Sequence, residues 1–339
     1  MHTFRIEVKV ITKLSNPLKI VIVILSSILL IAIGIYIYIH SLLSNIKQTN
    51  IQPQIPENPE VIQDIPFEVK DPSSQIKESE DKGIINIALF GLDRRETKTC
   101  RSDTIIIATI DMDDKKIKLA SLMRDMYVEI PGKWKDRINA AYAYGGPALA
   151  VETINKNFNM DIKYYISVDF KGIRSIIDEL GGTEINVKEG EIPHINSGSD
   201  SEIKSSGLQH LDGQQTLSYM RIRYFGNGDY ERTERQRIVL SQLYDKVKSS
   251  GITRLSILLP SILSYVETNI AKIDIINLTT ACLRFSDNIE QYRIPADGTF
   301  SEKIIQYKSV IVPDLKENIA LLHKFIYHYD EKISDSIDD

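Results

Sequence analysis

The sequence predicts an α/β layered domain carried behind one transmembrane helix. Three observations lead there: an uncharged apolar run from Ile20 to Ile39, β-rich runs alternating with helical patterns beyond Ile84, and no internal repeat or second linker. With 339 residues, 42% of them hydrophobic, the chain can bury a substantial core.

The run IVIVILSSILLIAIGIYIYI would span about 30 Å as a helix, the thickness of a bilayer's hydrocarbon core. A cleavable signal peptide is the competing reading. Such peptides carry an apolar stretch of about 7–15 residues and a small-residue cleavage site, neither of which fits here, so an uncleaved anchor is favoured. Arg5, Lys9, Lys13 and Lys19 precede the span against Glu7 alone, whereas only Lys47 follows before Asn50. The positive-inside bias therefore puts residues 1–19 in the cytoplasm, residues 20–40 in the membrane and the rest outside the cell. Tyr36 and Tyr38 fall at the far headgroup level. Residues 41–83 read as an extended stalk, broken repeatedly by Pro53, Pro56, Pro59, Pro66 and Pro72. Cys100 and Cys282 are too few for a disulfide framework; one bridge would satisfy the count, but free or buried thiols are favoured.

The outer domain is expected over residues 84–330, with 331–339 as a tail. IINIALF from Ile84, IIIATI from Ile105 and KIKLASL from Lys116 are strands, the last two separated by a polar turn at Asp111 to Lys115. Helical spacing follows at Gly146 to Phe158 and at Phe170 to Leu180, the second stopped by Gly181 and Gly182 before TEINV resumes strand character. LDGQQTLSYM and Asp229 to Ser249 are helical, QYRIP is a strand, and a last helix follows Pro313.

Two acidic residues stand at adjacent strand ends: Asp93 just after the first strand, Asp103 just before the second, with Arg101 nearby. Such a pair can hold one hard cation, since Mg²⁺ takes one or two carboxylates plus phosphate oxygens; ordinary turn chemistry is the alternative. Arg124 and Asp125 follow the third strand, where an arginine can reach a cleft along the sheet edge or simply pair with its neighbour.

The densest charge is in YMRIRYFGNGDYERTERQR, with Arg221, Arg223, Arg232, Arg235 and Arg237, in a chain of net charge -5. A solvated face paired with Asp229, Glu231 and Glu234 is one reading. MRIRY alternates, so Arg221 and Arg223 share a side if the segment is extended, and Asp229 is placed to cap the next helix. Along that helix Arg232, Gln236, Leu240, Leu243 and Val247 form a stripe that begins polar and ends apolar. Guanidinium groups at a helix N-terminus make a strong phosphate site, and their planar forks hold two oxygens at once.

RSDTI, SLMRDMYVEIPG, KDRINAAYAYGGP, VDF, LGG, LDGQQTLSYMRIR and GDYERTERQR, in that order, resemble the LytR-CpsA-Psr family of cell-wall glycopolymer ligases. The resemblance spans roughly Ile84 to Gly251. It implies a mixed central β-sheet flanked by helices and an extracytoplasmic phosphotransferase. Such enzymes move a glycopolymer, of wall teichoic acid or capsule type, from a polyprenyl-pyrophosphate carrier to peptidoglycan, usually at the 6-hydroxyl of N-acetylmuramic acid. By the same resemblance Asp93 and Asp103 would hold Mg²⁺, with Mn²⁺ as the alternative. Arg101, Arg124, Arg221, Arg223, Arg232, Arg235 and Gln236 would surround the pyrophosphate, and Arg124, Asp125 and Asp229 would act in the chemistry. Two departures stand out: Ser121, Leu122 and Met123 replace the Ser-Ile-Pro of many members, and the loop from Arg223 to Asp229 varies in length among such proteins.

The lipid tail would need an apolar lodging, for which Ile173, Ile176, Leu240 and Leu243 compete with ordinary core packing. Lys135, Arg137, Tyr142 and Tyr144 either face a sugar chain or form a loop and helix start. The six histidines show no zinc spacing, and no Gly-x-Ser-x-Gly elbow or Walker loop occurs. The acidic balance opposes a nucleic-acid role. Two rival functions remain: a hydrolase giving the same donor to water, and a lipid-phosphate-binding regulator without turnover.

Overall fold

A computed structural model describes residues 47–48, 83–94, 100–285 and 289–327, all within one compact unit, Lys47–Asp339. The expected cytoplasmic segment, membrane span, residues 49–82 of the stalk and the tail lie outside the described residues. Among the described residues no helix is long and apolar enough to cross a membrane.

In chain order the first elements are β1 (Lys47–Gln48), β2 (Ile84–Leu92), β3 (Ser102–Asp111), β4 (Lys116–Leu122) and a short hairpin, β5 (Tyr127–Glu129) with β6 (Lys135–Arg137). Next come α1 (Ala140–Phe158), β7 (Tyr164–Asp169), α2 (Phe170–Glu179), β8 (Thr183–Val187), α3 (Ile192–Asn196), β9 (Gly207–Leu211) and α4 (Gly213–Met220). The chain continues through α5 (Asp229–Ser264), β10 (Val266–Thr268), α6 (Lys272–Cys282), β11 (Ile289–Ile294), β12 (Phe300–Ile305), β13 (Lys308–Pro313) and α7 (Leu315–Tyr327). The central sheet runs β1, β10, β7, β2, β3, β4, β11. It is mixed: β2 is parallel to β7 but antiparallel to β3, and β4 is parallel to β11.

Strand periodicity explains the layers. Ala88, Phe90 and Leu92 of β2 point to one face and pack with Ile154 and Phe158 of α1 and Leu322 and Ile326 of α7. Ile85, Ile87 and Leu89 point to the other, toward Ile270, Phe285 and helix α6. Both faces are covered, which is why IIIATI reads as a continuous apolar run. A further cluster joins Ile173, Ile176 and Ile177 of α2, Leu217 and Met220 of α4, and Val239 and Leu243 of α5.

The expected strands and helices are present, with local differences. Lys47–Gln48, expected in the stalk, pairs parallel with β10 at the sheet edge. MRIRY is not a strand: Arg221 is the C-cap of α4, and irregular backbone follows. Ile222 is buried between its two arginine neighbours, of which Arg221 stacks on Phe170 and Arg223 meets Asp103. Gly228 at φ 65° stands at the N-cap of α5 in a conformation only glycine adopts cheaply, and Asp229 falls inside the first turn instead of capping it. The helix expected to stop at Ser249 breaks at Gly251, φ 70° and ψ 162°, and then continues to Ser264. The strands of hairpin β5–β6, three residues each, are too short for periodicity to announce. Both cysteines are free.

Phe158, fully buried where α1 meets the sheet, tests this packing. Phe158→Ala is expected to lower unfolding free energy by about 3–5 kcal/mol, measured by denaturant titration.

Candidate functional site

At the start of β3 the ladder slips: Gly91 pairs with Thr104 and Leu92 with Ser102, leaving Asp103 as the extra residue of a bulge. Its carboxylate therefore projects from the sheet end. Arg124, at the end of β4, donates from Nη1 to Asp103 Oδ1 at 2.5 Å. Arg223, from the loop after α4, lies 3.5 Å from Oδ2, and Arg232 of α5 donates from Nη2 to the Asp103 carbonyl at 3.2 Å. Asp229 closes the group, accepting from Arg232 Nη2 at 2.9 Å and lying 3.8 Å from Arg124 Nε and 4.0 Å from Arg223 Nε. Asp125 stands between Arg124 Nε at 3.4 Å and Arg137 Nη1 at 3.2 Å.

The charge balance is unequal. Burial lowers the pKa of Arg124, but Asp125, Asp229 and Asp103 outweigh it and the net shift is upward. Arg232 goes the other way: burial, reinforced by Arg124 and Arg223, pulls it down to about 10 despite Asp229 and Asp103. Among the described residues, the Nε atoms of Arg124 and Arg232 are buried without a hydrogen bond. A buried guanidinium donor without a hydrogen bond is costly, so each is placed to gain from a further acceptor.

An apolar cavity of about 130 Å³ begins one turn further along α5. Gln236 and Arg221 supply polar lining, with Arg221 stacked 4.8 Å over the ring of Phe170. Leu89, Ile106, Ile166, Ile173, Leu217 and Leu240 form much of its wall. Of the four residues considered for a lipid lodging, Ile173 and Leu240 line the cavity, whereas Ile176 and Leu243 are buried in the adjacent core.

Two sequence expectations need correction or completion. Arg235 is not on this site: only 2% exposed, it donates to Glu191 and Glu231 at 2.8 and 2.7 Å and to the Ile222 carbonyl, its acceptors all supplied by the fold. Arg237 is likewise structural, bonded to Ser121 and Gln291 with its pKa pushed by burial to about 10. Arg137, absent from the pyrophosphate set, joins the cluster through Asp125; its adjacency to Asp136 in a charged triplet hides that partner from sequence reading. Arg101 is exposed near Tyr144, whose pKa the Asp136 hydrogen bond raises against the opposing charge of Arg101.

Asp93 is half-buried just past the end of β2, beside the Asp103 bulge. Among the described residues no group of three or more His, Cys, Asp or Glu is arranged to hold a metal ion, so a cation here would draw on these carboxylates and on oxygens of a bound ligand. Hard oxygen donors of this kind fit Mg²⁺.

Fold and site together define an α/β domain with arginines and aspartates clustered at the end of its central strands and an apolar cavity beside them. The chain matches the LytR_cpsA_psr family over residues 57–320 and belongs to it. It is 33% identical over 236 residues to the polyisoprenyl-teichoic acid–peptidoglycan teichoic acid transferase TagU of Enterococcus faecalis, covering 68% of this chain and 76% of the relative. It is 36% identical over 191 residues to the regulatory protein MsrR of Staphylococcus aureus, covering 56% and 57%. Among solved structures, YwtF (TagT) with bound octaprenyl pyrophosphate lipid superposes with a TM-score of 0.59 at 25% identity, covering 74% of this chain and 94% of that one.

The division of labour among the arginines has a stability signature. Arg235→Ala should cost about 3–5 kcal/mol by leaving Glu191 buried and unpaired. Arg223→Ala, at a half-exposed site, should stay within about 1 kcal/mol. Thermal or denaturant unfolding of both variants checks the contrast.

Proposed function

We propose that the protein is a membrane-anchored phosphotransferase that moves a glycopolymer from a polyprenyl-pyrophosphate carrier to peptidoglycan outside the cell. The carrying observation is the convergence of Arg124, Arg223 and Arg232 around Asp103 and Asp229, next to the apolar cavity. A pyrophosphate bonded to a long isoprenoid needs both features at once. The TagU and TagT comparisons support the same reading, and the uncharged run Ile20 to Ile39 would hold the domain at the membrane where such a donor resides.

In the reaction, the acceptor hydroxyl oxygen bonds to the sugar-linked phosphorus while the bridging P–O bond breaks, and polyprenyl phosphate leaves with the electron pair. Negative charge grows on the leaving phosphate. Arg124, Arg223 and Arg232 are aimed at that charge in a partly dry setting, where fixed guanidinium groups need no reorganisation. Gln236 and Arg221 orient the headgroup at the cavity. Asp125, held between Arg124 and Arg137, or a metal-side carboxylate takes the acceptor's proton. Mg²⁺, or Mn²⁺, would be held by Asp93 and Asp103 and would supply further charge neutralisation on the pyrophosphate.

The relative MsrR, named a regulatory protein, favours one rival, a donor-binding module without turnover. Product formation separates them: a transferase consumes donor only when peptidoglycan is present, a hydrolase consumes it without, and a binder does neither. For the transferase, Arg124→Ala and Arg223→Ala are each expected to lower kcat/KM by at least about a hundredfold with the fold intact, and chelation by EDTA to depress transfer reversibly. Unchanged transfer in both variants rejects the assignment. Leu240→Phe, which narrows the cavity, is expected to weaken octaprenyl pyrophosphate binding about tenfold while leaving inorganic pyrophosphate unaffected, as read by calorimetry.

A further inference from the structure

The hairpin β5–β6 carries a feature that the donor site does not use. Trp134, in its connecting loop, is 62% exposed, and Tyr144 of α1 is 38% exposed. The rings meet edge to face with centroids 5.9 Å apart, so the indole is held upright with open surface on the solvent side. The support is polar and firm. Tyr144 donates its hydroxyl to Asp136 Oδ2 at 2.6 Å, and Lys308 reaches Oδ1 of the same buried carboxylate at 3.4 Å. The next residue, Arg137, makes the ion pair with Asp125 and donates to the Ser309 carbonyl at 2.6 Å. One residue along the chain therefore separates the aromatic support from the arginine cluster.

Position distinguishes this surface from the lipid cavity. The hairpin packs through Val128 and Ile130 into the core that contains α1 and α7, while the cavity is walled by α2, α4 and α5. The arginine cluster reaches both features, through Arg137 and Asp125 on the hairpin side and through Gln236, one turn beyond Arg232, at the cavity. Displacement at phosphorus needs the attacking and leaving oxygens roughly in line, which separate acceptor and lipid sites allow. An exposed aromatic face bordered by hydrogen-bonding groups matches a pyranose ring, which presents C–H groups on its face and hydroxyls around its rim.

We propose that Trp134 and Tyr144 form a sugar-binding platform that seats a pyranose ring of the acceptor glycan next to Asp125. This rests on the transferase reading and names the acceptor side of the same site. Because Trp134 is the single tryptophan of the chain, its fluorescence reports on the platform directly.

The test titrates the full-length protein with an uncross-linked glycan fragment of alternating N-acetylglucosamine and N-acetylmuramic acid, with octaprenyl pyrophosphate, and with lipid-linked glycopolymer donor. A saturable emission change with the glycan fragment and none with octaprenyl pyrophosphate is expected. In transfer assays Trp134→Ala should raise the acceptor KM about tenfold with kcat and donor KM unchanged, and Trp134→Phe should restore most of it. Silent emission with the glycan fragment, or an unchanged acceptor KM in Trp134→Ala, overturns the platform while leaving the transferase intact. A response only to the lipid-linked glycopolymer assigns the sugar to the donor and overturns the acceptor placement. Donor consumption without acceptor would sink the transferase reading, yet the emission titration would still decide whether the platform binds glycan.

Discussion

Asp103 holds together groups that the chain keeps far apart. Arg124 is 21 residues away in sequence, Arg223 is 120 and Arg232 is 129, yet each places guanidinium nitrogen on this one residue. The bulge at the start of β3 makes this geometry available, because a residue in regular pairing would spend its backbone groups on the ladder. Three arginines face Asp103 and Asp229, with Asp125 against Arg124, yet burial leaves the Nε atoms of Arg124 and Arg232 without hydrogen bonds, at a cost in stability that the surrounding core supplies.

The first turns of α5 show how one helix divides structural and chemical work. Arg232 turns to Asp103 and Asp229, Arg235 to the buried Glu191, and Arg237 across the sheet to Ser121 and Gln291. The paired residues lock the helix against β4, β11 and the segment before α3. Arg232 and Gln236 can then be held in place without binding every acceptor they face. Precision in the site thus depends on ion pairs that never touch a ligand.

Much of the architecture was legible because burial on two faces writes itself into β2, β3 and β4 as apolar runs. Asp103 and Arg124 were legible for the same reason, as polar residues standing where such runs stop. Arg235 was misread because its partner Glu191 lies 44 residues away, and nothing local separates a guanidinium bound for a carboxylate from one bound for a phosphate. Arg137 was read only as facing a sugar chain or as part of a loop, whereas Asp136 is taken by Tyr144 and Lys308 and Arg137 turns to Asp125. Asp229 was expected as a helix cap, but Gly228 occupies that position and leaves the carboxylate free to meet the arginines. Local rules assign such residues to turns and caps; only the closed sheet end reveals which of them share a volume.

A crystal structure of the protein soaked with a polyprenyl pyrophosphate is the decisive measurement. The diphosphate is expected within hydrogen-bonding distance of the Nε atoms of Arg124 and Arg232, with the isoprenoid entering between Leu89, Ile173 and Leu240. A lipid bound elsewhere, or a diphosphate contacting only surface lysines while these arginines keep their present partners, would contradict this placement.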